Sequence, residues 1–421
     1  MNKEKVKKGA CQIERFNLST NKIEYCNRPT HKKSKYCIFH AKLAEKEEEE
    51  FKKALKEYIE KIKENNLDYD FFKFIFIGKI DFEKEFKLNT FKNVNFINAT
   101  FEDDVNFLNA TFESNAEFEW VTFKSYASFG GTTFKRHAFF GGTTFKKYAA
   151  FDGVTFKGIA DFIEATFEDD ADFTDAVFKS EVSFENAIFK KNVDFSWATL
   201  PPGKILSLIV KSRGNILFKQ TFLEHIILSL DLEKETFIDF TNAILRNTSI
   251  KMEEIDGHIL QEQEKKFSEA KEIYLLLKNN FHSIGKYKDE SWAFKKEKDM
   301  ERKDNCHFKT LHKWLWSCFL NGIFGYGEQP VKVIISAMSI ILIFTFLFMS
   351  SGIGGTGIGG SISKNFLDCV YFSTVTFTTL GYGDFRPLEG WGRIFAGTEA
   401  FIGAFMMALF VYTFARRTGG R

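Results

Sequence analysis

Residues 127–151 read ASFGGTTFKRHAFFGGTTFKKYAAF, and the spacing of phenylalanine in this stretch decides the fold of the region around it. Phenylalanine recurs there at steps of five and six residues. The two steps alternate without a break over 18 phenylalanines, from Phe101 to Phe195. Two positions before each one from Phe107 onward stands a small or β-branched residue: ten Ala, five Val and two Thr. Steps of five or six fit neither the 3.6-residue helix nor the two-residue strand.

The alternating steps predict a coil in which every short side turns one large and one small side chain inward. One step of six and one of five together lead from Phe101 to Phe112, and two such pairs, from Phe101 to Phe123, close a four-sided turn. Turns that stack about 4.8 Å apart make residues 86–200 a rod of roughly 25 Å. Identical residues stacked in this way bury a continuous core and leave Lys and Glu outside.

This pattern resembles the pentapeptide repeats, which wind into a right-handed four-sided β-helix around a ladder of Phe or Leu. The resemblance covers about residues 82–200, and the strand-like runs that follow are expected to complete or cap the domain, placed at 81–255. The repeating pair is one residue longer than two pentapeptides, so an extra residue is expected to bulge at alternate corners. The resemblance implies a scaffold or spacer. It leaves open which cytoplasmic protein the domain contacts.

A second motif lies near the C-terminal end, where residues 378–384 read TTLGYGD. Gly381 and Gly383 can take positive φ, which lets successive carbonyl groups point the same way. A ring of such carbonyl groups can replace the water shell of a K⁺ ion. An apolar segment long enough to span a membrane lies on either side, at residues 331–350 and 394–414.

Between these segments, a turret rich in Gly and Ser at residues 350–363 precedes a predicted short helix. Ser363 or Asn365 is expected to cap this helix, and Asp368 in its first turn suits the positive end. The helix is predicted to end near Thr378 and to aim its negative end at a central cavity, which favours a cation. A re-entrant loop is tolerated in a membrane only when it is buried in protein or faces water. One loop cannot surround an ion, so the chain is expected to form a homotetramer.

Residues 325–417 resemble the pore module of two-transmembrane potassium channels. Trp391, Gly392 and Arg393 resemble the start of the inner helix of that family. Gly403 lies 12 residues after Trp391, where the family often keeps a gating-hinge glycine, and a plain packing glycine is the alternative. The resemblance implies that five residues bind K⁺, with Asp384 at the outer mouth: Thr379, Leu380, Gly381, Tyr382 and Gly383.

The module departs from the family pattern at three positions. Leu380 stands where Val is commoner. The main-chain carbonyl of this residue, and not its side chain, is expected to bind the ion, so the ion sites should be unaffected. Phe372 stands where many members have Trp, and Val375 where some carry Glu, so polar support behind the filter is reduced. Glu399 is a lone acid in a spanning segment, and such groups face polar protein or water. We expect it to make a structural bond behind the pore helix, or to act in gating or permeation.

Charge and missing motifs predict the orientation and exclude other classes of protein. The first residues, MNKEKVKKGA, contain no apolar h-region. We therefore expect a multi-pass protein of the plasma or inner membrane with both termini in the cytoplasm, and Arg416 and Arg417 agree with this orientation. No Arg-rich spanning helix of a voltage sensor is present, and no nucleophile–base set or phosphate loop predicts an enzyme. The formal net charge of +2, from 58 basic and 56 acidic residues, argues against nucleic acid as a partner.

Three cysteines and a histidine near the N-terminus form a candidate metal site. Cys37 and His40 stand three residues apart, which suits chelation of one ion. With Cys11 and Cys26 they make a Cys₃His set that is typical of structural zinc. His31 is a competing ligand, and incidental thiols are the alternative, because disulfides are not expected in the cytosol.

The remaining segments complete a multidomain chain. The charged stretch at 41–66 predicts a solvated helix that serves as a linker or an oligomer contact. An apolar stripe from Phe267 to Phe281 predicts a helix, and residues 306–324 suit the membrane interface. The predicted order is a zinc-binding module at 1–45, a charged helical linker with the start of the β-helix at 46–80, the β-helix at 81–255, a helical hairpin linker at 256–305, an interfacial helix at 306–330, a first transmembrane helix at 331–350, the turret, pore helix and filter at 351–390, a second transmembrane helix at 391–417 and a tail at 418–421.

The predicted function is that of a potassium-selective channel subunit, with K⁺ in the filter and Zn²⁺ in the N-terminal module. Its cytoplasmic repeat domain is expected to assemble the channel, gate it or bind a partner. The alternatives are a non-selective or sodium-conducting cation channel, or a membrane-anchored interaction scaffold with a vestigial pore. The intact GYGD loop favours the potassium-selective channel over both alternatives.

Overall fold

A computed structural model describes residues 9–17, 22–201, 210–305, 311–355 and 362–418. These residues form two compact units, and the division falls between Ile284 and Gly285. Parts of several predicted segments lie outside the described residues: the start of the zinc module, a strand-like run at 205–209, the start of the interfacial helix, the middle of the turret and most of the tail.

The first unit is a β-solenoid whose four sides are parallel sheets of very short strands. The first side contains Thr90–Phe91, Thr111–Phe112, Thr133–Phe134, Thr155–Phe156 and Val177–Phe178, and the pair Phe222–Glu224 and Ile244–Arg246 continues it through a bridge at Thr199. The second contains Tyr69–Asp70, Val94–Asn95, Ala116–Glu117, Ala138–Phe139, Ala160–Asp161 and Val182–Ser183. The third contains Ile75–Phe76, Thr100–Phe101, Thr122–Phe123, Thr144–Phe145, Thr166–Phe167, Ala187–Phe189, Val210–Ser212 and Leu230–Leu232. The fourth contains Ile80–Asp81, Val105–Asn106, Ala127–Ser128, Ala149–Ala150, Ala171–Asp172, Val193–Asp194, Ile216–Leu217 and Ile238–Asp239.

The register of the strands confirms the predicted four-sided turn. In the regular part, each strand pairs with the strand two repeating pairs further along the chain, as Thr111 pairs with Thr133. The corners are of two alternating kinds, as the alternation of unequal steps requires. In the five-residue steps a residue with positive φ recurs once in every repeating pair, as at Asn98, Asn109 and Gly131. The six-residue steps turn through a bend that accommodates the extra residue.

Stacked phenylalanine rings fill the inside of the solenoid. Phe151 is fully buried between Phe129 and Phe173, whose ring centroids lie 4.8 and 4.9 Å away and whose planes are nearly parallel. Burial of one such side chain contributes about 1.5–3 kcal/mol. A Thr fits at a small inward position because its hydroxyl finds a main-chain acceptor. Thr132, for example, donates to the Phe107 carbonyl at 2.8 Å.

Helices and strands from outside the repeats close the N-terminal end. They are the antiparallel strands Glu14–Asn17 and Lys22–Tyr25, the 3₁₀ helix Leu43–Glu45, helix α1 (Glu48–Asn65) and the short helix Phe82–Phe86. Helix α1 differs from the expected solvated helix, because one of its faces is 0–2 % exposed and consists of Phe51, Leu55, Ile59 and Ile62. This face packs on the first coil, where the rings of Phe51 and Phe76 are 5.9 Å apart.

The other end of the solenoid is closed by the short helices Met252–Ile255 and Leu260–Gln263 and by helix α2 (Phe267–Ser283). The side-chain amide of Asn280 in α2 donates to the Thr248 carbonyl at 2.7 Å and accepts from the Thr248 N–H at 2.9 Å. One buried amide thus pairs both main-chain groups of Thr248 at this end of the solenoid.

The second unit is mainly helical. It contains α3 (Tyr287–Asp304), α4 (Leu311–Phe324), a 3₁₀ turn (Gly325–Gly327), α5 (Pro330–Ser351), α6 (Phe366–Phe377) and α7 (Trp391–Thr418). A small antiparallel sheet joins Ile353–Gly355 to Ile362–Ser363 and Phe385–Pro387. Helices α5 and α7 are long and apolar enough to cross a membrane, with mean hydropathies of 2.5 and 1.9 in their most apolar windows. The division at residue 284 falls inside the segment predicted as a helical hairpin, so α2 and α3 belong to different units.

Candidate functional site

The loop that follows α6 has an alternating backbone. Thr379, Gly381 and Gly383 have φ values of +57°, +56° and +79°. A left-handed residue at every second position can turn successive carbonyl groups toward one side, which coordination of a bare cation requires. Thr379 is β-branched, and positive φ in such a residue is a rare and strained conformation that clusters at functional sites.

The same loop is open to its surroundings in the single chain. Leu380 is 60 % exposed and Tyr382 is 69 % exposed. Apart from the adjoining residues of the loop, no described atom lies within 4 Å of the place that a Cβ would take on Gly381 or Gly383. The loop therefore lacks covering groups on at least one side.

The last turn of helix α6 holds the start of the loop through main-chain hydrogen bonds. The Leu380 N–H donates to the Val375 carbonyl at 3.0 Å, and the Thr379 N–H donates to the Thr376 carbonyl at 3.0 Å. The loop therefore leaves directly from the carboxyl end of α6, where the helix dipole is negative. At the other end, Asn365 precedes the helix without a side-chain capping bond, whereas the Ser363 hydroxyl bonds the Asp368 carboxylate at 2.5 Å.

Helix α7 crosses the last turn of α6 in backbone contact. A Cβ on Gly403 would lie 1.9 Å from the carbonyl oxygen of Phe377, so only glycine fits at this crossing. Phe377 is buried in a cluster with Val333 of α5 and Met406 of α7. In the described conformation α7 runs through Gly403 as one continuous helix, so the glycine acts here at a packing contact.

Glu399 of α7 is the buried acid behind the loop. Its side chain is fully buried, and its Oε1 is hydrogen-bonded to the hydroxyl of Ser373 in α6. The Ser373 Oγ also lies 3.0 Å from the Ile341 carbonyl oxygen of α5. The other oxygen of Glu399, Oε2, has no hydrogen-bond partner among the described residues. These polar groups connect all three apolar helices.

The other contacts behind the loop are apolar. The Phe372 ring meets the Phe348 ring of α5 edge to face, with centroids 4.8 Å apart. Val375 is buried as well. The two positions at which the sequence lacks the polar residues of the family are thus occupied by packed side chains.

The second candidate site is the N-terminal metal cluster. The ligand atoms of Cys11, Cys26, Cys37 and His40 all lie within 4.8 Å of one another. The His40 Nδ1 lies 3.3 Å from the Cys11 Sγ and 3.2 Å from the Cys37 Sγ, and the Cys26 and Cys37 sulfur atoms are 3.9 Å apart. Four ligands around a tetrahedral zinc ion with Zn–S bonds of ~2.3 Å stand about 3.5–4 Å from each other. The four residues therefore fit a tetrahedral, thiophilic cation.

Groups around the cluster support metal binding. The His40 Nε2 lies 2.9 Å from the Phe72 carbonyl, a bond that leaves Nδ1 free to face the metal. Hydrogen bonds from the Cys11 and Cys37 thiols hold the pKa of Cys26 far below its usual range, so a thiolate is favoured there. Burial opposes charge on His40, but bonds to the thiols raise its pKa to about 9 in the metal-free cluster, so metal binding has to displace a proton from this ring. His31, the competing ligand, is not in the cluster and lies 3.7 Å from Glu50.

Comparisons with known proteins identify the two main regions. Residues 332–419 match the family described as ion channel, and residues 96–144 and 151–199 match pentapeptide repeats, in nine copies. The chain thus contains an ion-channel domain of the two-transmembrane potassium-channel type together with pentapeptide repeats that form a β-solenoid. Searches of curated proteins and of solved structures gave no match. The match supports an ion channel, and the two helices of spanning length agree with a membrane protein.

Two residues of these sites were not predicted from the sequence. Ser373 was missed as the partner of Glu399. An acid in a spanning helix requires a polar neighbour, but α6 also carries Tyr371, Thr374 and Thr376, and the sequence does not single out Ser373 among them. Arg28 was missed beside the cluster, where its Nη1 donates to the Cys26 Sγ at 3.4 Å. No spacing rule in the sequence places Arg28 there, since the contact depends on how the N-terminal strands fold back.

Proposed function

We propose that the protein is one subunit of a potassium-selective channel. The observation that carries this proposal is the loop with alternating positive φ at Thr379, Gly381 and Gly383, between two helices of spanning length. We infer that the carbonyl groups of residues 379–383 bind dehydrated K⁺, with the Thr379 hydroxyl as a further ligand and Asp384 at the outer mouth. The negative end of α6 favours a cation next to this loop.

The proposal requires four copies of the chain. One loop offers carbonyl groups on one side of an ion only, and the exposed Leu380 and Tyr382 need neighbours to cover them. Four loops around one axis supply both the ligands and the cover.

The proposal also includes an orientation in the membrane. The chain ends are cytoplasmic, and α4 lies at the membrane interface. Its Trp316 is 62 % exposed and stacks on Phe319 with ring centroids 5.4 Å apart, which suits headgroup depth.

We further propose that the Cys₃His cluster binds Zn²⁺ as a structural ion. The cation would neutralise the thiolates and fix the four chain segments that carry them. The solenoid then serves as the cytoplasmic domain through which assembly, gating or partner binding acts on the channel.

A flux experiment tests the proposed function. Purified protein in liposomes is expected to carry K⁺ and to give a reversal potential near that of K⁺ in mixed K⁺/Na⁺ gradients, and its solubilised mass is expected to be that of a tetramer. Equal permeability to Na⁺ and K⁺ would favour the non-selective alternative. Absence of flux from an intact tetramer would favour the scaffold with a vestigial pore.

The contact between α6 and α7 supplies a further prediction. Gly403→Ala places a Cβ against the Phe377 carbonyl, so α7 must move away from α6. We expect a lower melting temperature of the tetramer and at least tenfold less K⁺ flux. A glycine that acts only as a hinge would change channel opening but leave the melting temperature unaltered, and that result would refute the packing role of Gly403.

Ser373→Ala removes the observed partner of the buried Glu399. The expected cost in stability is about 1–3 kcal/mol.

A further inference from the structure

The N-terminal edge of the solenoid would be exposed without the segments that precede it. A free edge of a parallel sheet presents unpaired N–H and C=O groups, which can pair with another chain. In the first coil the groups that point away from the second coil belong to Asp70, Ile75, Asp81 and Thr90, one on each of its four sides. The N–H of Asp81 is bonded within the coil, to the Glu85 carboxylate at 3.0 Å.

The groups of Asp70 and Ile75 find partners in the preceding segments. The Tyr58 hydroxyl of α1 donates to the Asp70 carbonyl at 2.9 Å. The Ile75 N–H donates to the Phe39 carbonyl at 2.8 Å, and the Ile75 carbonyl accepts from the Lys46 ammonium. The described residues between 10 and 65, called the N-terminal cap below, therefore cover two of the four sides of this edge, at Asp70 and Ile75.

The metal ligands are built into this cap. His40 lies next to Phe39 and bonds the first coil through the contact of its Nε2 with the Phe72 carbonyl. The Phe39 ring stacks on the Phe74 ring, with centroids 4.5 Å apart. The Arg28 guanidinium, whose Nη1 reaches the Cys26 sulfur, lies over the rings of Tyr58 and Phe74 at 4.7 and 5.2 Å.

We propose that a thiophilic divalent cation held by Cys11, Cys26, Cys37 and His40 locks the N-terminal cap onto the first coil of the solenoid. The inference rests on the proposed zinc site and is independent of potassium conduction. Without the cation, the segments that carry the four ligands lose their common partner, and the turn from Cys37 to His40 loses its constraint. Phe39 then moves away from the first coil, and the hydrogen bond between His40 and the Phe72 carbonyl breaks. The edge that becomes free would be ready to pair with another chain.

Hydrogen exchange of the full-length protein tests this lock. We expect about one zinc ion per chain. Chelation should accelerate exchange of the Ile75 amide, which donates to the cap, by about tenfold or more. The Phe151 amide, bonded to the Asp172 carbonyl at 2.7 Å in the middle of the solenoid, should keep its rate. Added Zn²⁺ should restore the slow exchange of Ile75.

Variants separate metal binding from the lock. His40→Cys keeps four metal ligands but removes the bond to Phe72, so zinc should remain while Ile75 exchanges faster. Cys318→Ser, at a thiol outside the cluster, should change neither property. Bound zinc whose removal leaves the Ile75 rate unchanged would overturn the lock and leave the metal site standing. Protein purified without chelator that carries no metal would overturn both, and neither result bears on the K⁺ flux.

Discussion

Gly381→Ala is expected to abolish selective K⁺ flux while the protein still assembles. Gly381 has φ of +56°, where a Cβ costs roughly 1–2 kcal/mol. Within one chain the cost is backbone strain, because no described atom outside the adjoining residues lies within 4 Å of the new Cβ. Relief of this strain rotates the carbonyl away from the ion, and in a fourfold ring the cost applies to every subunit. We expect K⁺ flux in liposomes to fall at least tenfold and the K⁺/Na⁺ preference to be lost.

The matched control for this change is Gly397→Ala in α7. Gly397 is helical, and the space around its added Cβ is equally open in the described part of the chain. Alanine favours a helix over glycine by about 1 kcal/mol, so flux and selectivity should be retained. A Gly381→Ala channel with the selectivity of the unchanged protein would show that the loop is not the filter.

Phe151→Asp is expected to unfold the solenoid. Loss of a buried Phe side chain costs about 3–5 kcal/mol, and a buried unpaired carboxylate adds several more. The total stability of a domain is about 5–15 kcal/mol, so one such change in the middle of the ring stacks is sufficient. Circular dichroism should show loss of β-structure, and hydrogen exchange should show loss of protection in the neighbouring coils.

The matched control is Lys146→Asp, which introduces the same side chain at an exposed position in the preceding step of the same coil. Surface substitutions of this kind usually change stability by less than about 0.5 kcal/mol. Phe151→Leu, which keeps an apolar side chain but loses the ring stacking, should lie between the two. If Phe151→Asp and Lys146→Asp were tolerated equally well, the inward ladder of phenylalanine would be wrong.

Other features could be predicted only in part. The charged appearance of residues 41–66 suggested a solvated helix, yet Phe51, Leu55 and Ile59 recur at steps of four and form the buried face of α1. That signal was available in the sequence and was outweighed by the run of Glu and Lys. The four metal ligands were identified by residue type, but their gaps along the chain do not show that the cluster belongs to the cap of the solenoid.

The contacts of Gly403 and Glu399 show the same limit. The sequence marks both residues as unusual within an apolar segment. It does not show what stands opposite them, because the partners Phe377 and Ser373 lie far earlier in the chain, on another helix. The hinge role of Gly403 remains a prediction beside the packing contact that is observed.

The sequence by itself determined the four-sided coil, the positions of the inward phenylalanines and the two apolar segments with the Gly-Tyr-Gly loop between them. These features repeat or are local, so each residue type and spacing carries its own physical consequence. Only the tertiary structure decided how the ends of the solenoid are closed, where the metal cluster attaches and which backbone α7 touches. These contacts join residues that are distant in the chain. They form only where the packing of whole elements brings a hydrogen-bond donor, a cysteine sulfur or a glycine backbone next to its particular partner.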